Sequence, residues 1–161
     1  MASHVPAARY ASPATPTLLS AVAEDRLRAV VREAAAQAGF DRRYEAPEVV
    51  AALEAATSLR PDLCVLDLTL VDDLSGTLEL LVSCSPRTSV VVMAPNGDGT
   101  GVLAAFSSGA RGYATADIAS ASLARVFADV LAGRVSVPRE LVGLLLDEVM
   151  ADEARAPGGE C

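Results

Sequence analysis

The sequence predicts a doubly wound α/β domain: a five-stranded parallel sheet covered by helices on both faces, with one further helix at the C-terminal end. Three observations carry that prediction. Short apolar runs alternate with longer helical patterns along most of the chain, and right-handed crossovers then leave a parallel sheet as the economical arrangement. The runs at 63–66 and 89–94 are apolar without polar alternation, as strands buried on both faces are. The composition is 52% hydrophobic but only 4% aromatic, with no Trp, so the core is built from Ala, Val and Leu on closely packed layers.

The elements follow in order. Residues 18–22 form a first buried strand, and residues 24–38 a helix with Leu27, Val30, Val31 and Ala34 on one face, closed by Gly39. Residues 40–45 read as an edge strand. Pro47 opens a second helix, which carries Val49, Val50 and Leu53 and runs to Ser58. After Arg60-Pro61, the strand 63–66 ends in Asp67, a polar loop holds Asp72, Asp73 and Ser75-Gly76, and a helix spans 77–83. Strand 89–94 leads through a glycine-rich loop at 95–101 to a helix at 102–108, a short strand within 109–115 and a helix at 118–131. The glycine spacing of that loop matches neither the P-loop nor the dinucleotide fingerprint. Pro138 starts a last helix whose apolar residues, among them Leu141, Leu145 and Val149, spread over more than one face. That spread suggests a second contact, with a partner subunit or a following domain, and the alternative is packing wholly against the chain's own core. The expected organisation is a leader at 1–16, the main domain at 17–134, a linker or dimerisation helix at 135–153 and a tail at 154–161.

Bulk properties exclude several functions. A net charge of −8 with 13 basic residues gives no surface for nucleic acid through this chain. No apolar stretch is long enough to span a membrane, and the first 16 residues lack a signal-peptide core. Cys64, Cys84 and Cys161 form neither a disulfide framework nor a metal-binding spacing, which fits a cytoplasmic location. His4, the single histidine, falls in the leader, so no nucleophile and base pair is available for covalent catalysis. The chain is expected not to be an enzyme.

In doubly wound sheets ligands gather beyond the C-terminal ends of the strands, where Asp67 stands. The competing reading is that Asp67 caps the turn that follows it.

Several fragments, in order, carry a resemblance. They are Arg60-Pro61-Asp62, Val65-Leu66-Asp67-Leu68, Gly76-Thr77-Leu78-Glu79-Leu80-Leu81 and Val90-Val91-Val92, followed by Val102-Leu103-Ala104-Ala105, Gly109-Ala110-Arg111-Gly112-Tyr113 and Ala132-Gly133 before Pro138-Arg139-Glu140-Leu141. Over residues 17–150 the sequence resembles the receiver domains of bacterial two-component response regulators of the NarL/FixJ (LuxR-type) family. The resemblance implies a flavodoxin-like (CheY-like) fold, with Asp67 as the phosphoacceptor for a sensor histidine kinase.

It also implies helpers that this sequence departs from. The acid pair that holds Mg²⁺ falls on Ala23 and Glu24, or on Ala21 and Val22 without the alignment shift; the hydroxyl position falls on Ala94 and the lysine position on Ala116. The loop 71–75 lacks the family's Pro-Gly type turn. The resemblance is therefore to an atypical or pseudo-receiver, with Ala23, Glu24, Ala94 and Ala116 as a degenerate pocket. No cofactor is required, and any Mg²⁺ site would rest on Glu24 and Asp67.

The expected function is a phosphorylation-independent regulatory and dimerisation module in signal transduction or transcription control. It would act as a homodimer through Leu141, Leu145 and Val149. One alternative is a sensor that binds a small molecule in the vacated pocket. A second is a weak Mg²⁺-dependent phosphoacceptor using Glu24, Asp25, Asp72 or Asp73, and a third is a purely structural domain. Family members of this type continue into a helix-turn-helix output domain, which this sequence does not contain.

Overall fold

The computed structural model describes residues 15–95 and 99–155. Most of the expected leader with His4, the end of the expected tail with Cys161, and the Asn96-Gly97-Asp98 part of the glycine-rich loop lie outside the described residues.

Five parallel strands, β1 (Thr17–Ala21), β2 (Arg42–Ala46), β3 (Leu63–Asp67), β4 (Ser89–Ala94) and β5 (Gly112–Thr115), form one sheet in the order β2-β1-β3-β4-β5. This is the doubly wound architecture expected from the alternation of elements. The strand order reverses between β1 and β3, and in doubly wound sheets the region beyond the C-terminal ends at such a point is where ligands bind. The two continuous apolar runs take central places: β3 is buried at every position, and β4 at all but its first. The edge strand β2, Arg-Arg-Tyr-Glu-Ala, keeps its charged side chains in water, which blunts an otherwise open sheet edge.

Helices α1 (Asp25–Gln37) and α5 (Ser120–Leu131) cover one face of the sheet. There Leu27, Val31, Leu123 and Phe127 pack on Leu18, Val65 and Val91, and Phe40 meets Phe127 edge-on at 6.2 Å. The other face carries α2 (Val49–Leu59), α3 (Leu74–Cys84), α4 (Val102–Ser107) and α6 (Arg139–Arg155) over Leu19, Leu66, Val92 and Tyr113. Small residues such as Ala52, Ala56 and Ala105 set the close approach on this side. No helix among the described residues is long and apolar enough to cross a membrane.

Several expected boundaries move, each for a local reason. Gly39, at φ +93°, closes α1 as expected, but Phe40 N–H donates to Ala35 O and its ring is buried, so β2 begins only at Arg42. Pro47 precedes the N-cap Glu48 and does not open α2 itself. Asp73 caps α3 by accepting from the Gly76 N–H at 3.1 Å, which starts that helix at Leu74, three residues earlier than expected. A 3₁₀ turn, Leu68–Leu70, occupies the start of the expected polar loop. β5 begins at Gly112, where an added Cβ would lie 3.0 Å from Val130 and 3.1 Å from Val91, so only glycine lets α5 sit this close. α5 starts at Ser120 and not at Ile118, and α6 extends through Arg155 into the expected tail. Residues 135–138 are also more than a linker: Ser136 bridges to the outer edge of β5, accepting from Tyr113 N–H at 3.0 Å and donating to Arg111 O at 2.9 Å.

Candidate functional site

The site is built where β1, β3, β4 and β5 end. Asp67 is the last residue of β3, so its backbone stays in the ladder, paired with Met93, while its side chain turns toward the β1–α1 loop. It is 4% exposed. A buried carboxylate needs donors, and Asp67 finds three within the chain. Ala23 N–H donates to Oδ2 at 2.9 Å, and both the N–H and the hydroxyl of Thr69 donate to Oδ1, at 3.0 and 2.8 Å. Asp67 thereby caps the 3₁₀ turn, as the competing reading of the sequence held, and also ties that turn to the loop after β1.

The acids that the resemblance offers as metal ligands point elsewhere. Glu24 is the residue before α1 and makes no cap bond; its side chain is 61% exposed and pairs with Arg26 at 3.9 Å. Ala21 and Val22, the pair in the unshifted alignment, are both buried apolar residues of the core. Asp25 pairs with Arg28. Asp72 and Asp73 are exposed, and Asp73 is held by the N-terminus of α3. No group of three or more His, Cys, Asp or Glu among the described residues is gathered to hold a metal. Mg²⁺ demands a near-octahedral oxygen shell, and one carboxylate already engaged by three donors does not fit it.

The hydroxyl and lysine positions are equally plain. Ala94 ends β4 at 1% exposure, and its carbonyl accepts from Ala116 N–H at 2.8 Å. Ala116 follows β5 and presents its carbonyl to Arg26 Nη2 at 3.2 Å. Arg28 Nη1 donates to Val22 O and Ala23 O, at 2.8 and 2.9 Å. The chain has no lysine at all, so arginines are the only long cationic side chains available at this end of the sheet.

Sequence reasoning thus found Asp67 and the alanines around it but missed Thr69, Arg26 and Arg28. The Asp-x-Thr spacing at 67–69 is a readable turn signal. Glu24 and Asp25 mark ion-pair partners for Arg26 and Arg28, but nothing in the sequence marks the bonds of these arginines to backbone carbonyls.

The three interface candidates on α6 are placed differently from one another. Leu141, 9% exposed, belongs to the chain's own core, and Leu145 packs against it. Both therefore make contacts within the chain, Leu141 fully and Leu145 in part. Val149 is half-buried. The α6 side chains left in water are instead Val142, Leu144, Leu146 and Met150. A cavity of about 350 Å³ lies between β5, α5 and the segment leading to α6, lined in part by Thr115, Asp117, Ile118, Ser122 and Val137.

No family model matches the sequence, and no curated protein matches it. Solved structures do. A LuxR-family two-component response regulator from Aurantimonas sp. SI85-9A1 superposes with a TM-score of 0.72 at 21% identity, over 85% of this chain and 99% of that one. The receiver domain of the NarL response regulator from Mycobacterium tuberculosis gives 0.65 at 22% identity, over 76% of this chain and 100% of its own. The receiver domain of RcsB from Salmonella enterica serovar Typhimurium, solved in the presence of the phosphomimetic BeF₃⁻, gives 0.69 at 16% identity, over 82% and 99%. These likenesses establish the fold as that of a receiver domain.

Proposed function

We propose that this receiver-fold chain is a regulatory module of signal transduction or transcription control that works by pairing with a second copy, without accepting a phosphoryl group. The observation that carries this reading is the state of Asp67. A phosphoacceptor must present a carboxylate oxygen to its donor, whereas Asp67 is 4% exposed and both its oxygens already accept hydrogen bonds from Ala23 and Thr69. Phosphoryl transfer is catalysed by positioning and electrostatic stabilisation, so the groups around the acceptor decide the rate. Ala94 and Ala116 supply neither a hydroxyl nor a charge, and Arg26, which reaches this rim, is committed to Glu24 and to the Ala116 carbonyl.

The test is intact mass and sedimentation of the chain with Mg²⁺ and acetyl phosphate, and again with Mg²⁺ and BeF₃⁻. The expected result is no mass gain and an association state that neither treatment changes. A Mg²⁺-dependent gain of one phosphoryl group that disappears in Asp67→Asn would overturn the reading and restore a phosphoacceptor served by a histidine kinase.

One observation favours a second reading, in which a small molecule modulates the module. The cavity beside β5, about 350 Å³, has the size and mixed lining of small-molecule sites. It lies along β5 and the segment leading to α6, not in the space among Ala23, Ala94 and Ala116 where the sequence suggested a ligand. A metabolite screen by thermal shift, repeated on Ser122→Trp to fill the cavity, separates this reading from the first.

A further inference from the structure

Helix α6 has an inner and an outer line of side chains. The inner line meets the chain itself: Leu141 and Leu145 pack on the core beside α4, and Leu141 and the half-exposed Leu144 lie over Gly99. The outer line does not. Val142, Leu146 and Met150 follow one another at four-residue spacing and are 38, 55 and 66% exposed. At about 100° per residue these three share one stripe of roughly 80° with Arg139 and Glu153. Arg139 and Glu153 stand at its two ends, equally spaced on either side of Leu146 and about 21 Å apart along the helix. Both are exposed, and neither has an ion-pair partner among the described residues. Gly143, at the edge of the stripe, has no atom within 4 Å of where a Cβ would stand, so the backbone is open to close approach.

This layout reads the same in reverse with the charges exchanged, which is what a two-fold axis requires of a self-complementary surface. We propose that α6 packs antiparallel on α6 of a second copy, with the axis passing at Leu146. Val142 then meets the partner's Met150, and Arg139 meets the partner's Glu153 at both ends. A parallel pairing would instead set Arg139 on the partner's Arg139 and Glu153 on the partner's Glu153. Charge complementarity therefore selects both the occupant and its direction.

A single helical stripe buries less than the roughly 1,200 Å² of standard interfaces, so the association is weak and concentration-dependent. The inference rests on the reading that the chain works as a pair and adds the surface and geometry of the pairing.

Sedimentation equilibrium from micromolar to millimolar chain tests it. The expected result is a monomer–dimer equilibrium that Leu146→Asp weakens at least tenfold, with an unchanged circular dichroism spectrum because position 146 faces water. Arg139→Glu and Glu153→Arg should each weaken self-association severalfold. Mixed together, those two variants should pair with each other, since each carries the charge the other's partner lacks. A dimer indifferent to all three variants would overturn this surface and leave the pairing reading standing. A dimer broken by Leu146→Asp whose two charge variants fail to pair on mixing would overturn the antiparallel arrangement. A monomer at every concentration would overturn both the surface and the pairing.

Discussion

The rim around Asp67 and the outer face of α6 are opposites. At the rim, the Asp67 carboxylate is bound by Ala23 and Thr69, while Arg28 reaches the Val22 and Ala23 carbonyls and Arg26 that of Ala116. No buried side-chain polar atom among the described residues lacks a hydrogen-bond partner. On α6, apolar side chains stand in water beside Arg139 and Glu153, which have no ion-pair partner among the described residues. Satisfied groups hold a fold together, whereas unsatisfied ones seek a partner. On the proposed reading, the position that the family resemblance marks for chemistry serves the fold, and the exposed helix carries the unpartnered side chains.

The largest effect expected of breaking that contrast is at Asp67. If the carboxylate is a structural acceptor, Asp67→Ala orphans the Ala23 and Thr69 donors in a buried place and costs about 2–4 kcal/mol. If it were held free for a phosphoryl group, its removal would be neutral or stabilising, as is common where function is bought with strain. Urea unfolding of the two chains decides between these outcomes. Asp67→Asn falls between them, because its amide can still accept from Thr69 while it presents a donor to the Ala23 N–H.

The next effect tests how α6 is seated. A Cβ on Gly99 would lie 2.5 Å from Leu141 Cδ2 and 2.9 Å from Leu144 Cδ2, both at the mobile ends of side chains. Gly99→Ala should therefore lift the start of α6 at a cost of about 1 kcal/mol, on the scale of small overpacking changes. Hydrogen exchange should quicken along α6 and remain slow in β3 and β4. Uniform quickening would mean that α6 is integral to the core and not a separately seated helix.

How much of this was legible in the sequence follows the same division. The sheet was legible because burial on both faces leaves an unbroken apolar run, as in Leu63–Asp67 and Ser89–Ala94. The early start of α3 was not, because its signal is a single capping contact from Asp73 to Gly76. Asp67 was visible as a carboxylate at a strand end, and so were the alanines at 94 and 116. Of the bonds that hold Asp67, those from Thr69 were readable as an Asp-x-Thr turn, but the one from Ala23 was not, since it comes from a backbone N–H 44 residues away. On α6 the excess of apolar residues was plain, but which of them face inward was not. With apolar residues on several sides of the helix, the pattern gives no phase, and only contact with α4 and Gly99 separates Leu141 and Leu145 from Val142 and Leu146.

A smaller effect concerns the two described thiols, both free. Burial pushes the Cys64 thiol up to about 12, so almost no thiolate exists at neutral pH, whereas Cys84 is exposed. A thiol reagent should modify Cys84 within the native chain and reach Cys64 only through unfolding. In Asp67→Ala the Cys64 rate should rise about tenfold for each ~1.4 kcal/mol of stability lost, provided opening is fast relative to labelling. Labelling of Cys64 that is rapid and equal in both chains would show that β3 opens locally, against its place at the centre of the sheet.

The smallest effect lies at the sheet edge, where Arg32 of α1 grips Glu45 of β2 with two hydrogen bonds of 2.5 and 2.9 Å. Those bonds, with the charges of Arg32, Arg28 and Arg43, hold the Glu45 carboxyl below its ordinary range against the opposing effect of partial burial. A carboxyl lowered in the folded state contributes stability that is present above its unfolded value, about 4.3. That contribution is lost as pH falls through the folded value. Glu45→Gln should therefore lower stability slightly at neutral pH and flatten the loss of stability on acidification below that range. The difference should shrink in high salt, because both side chains reach water. A Glu45→Gln chain whose acid unfolding superposes on that of the parent at low salt would mean that the ion pair contributes nothing, and that β2 is held by its ladder to β1 and by burial of Ala46 alone.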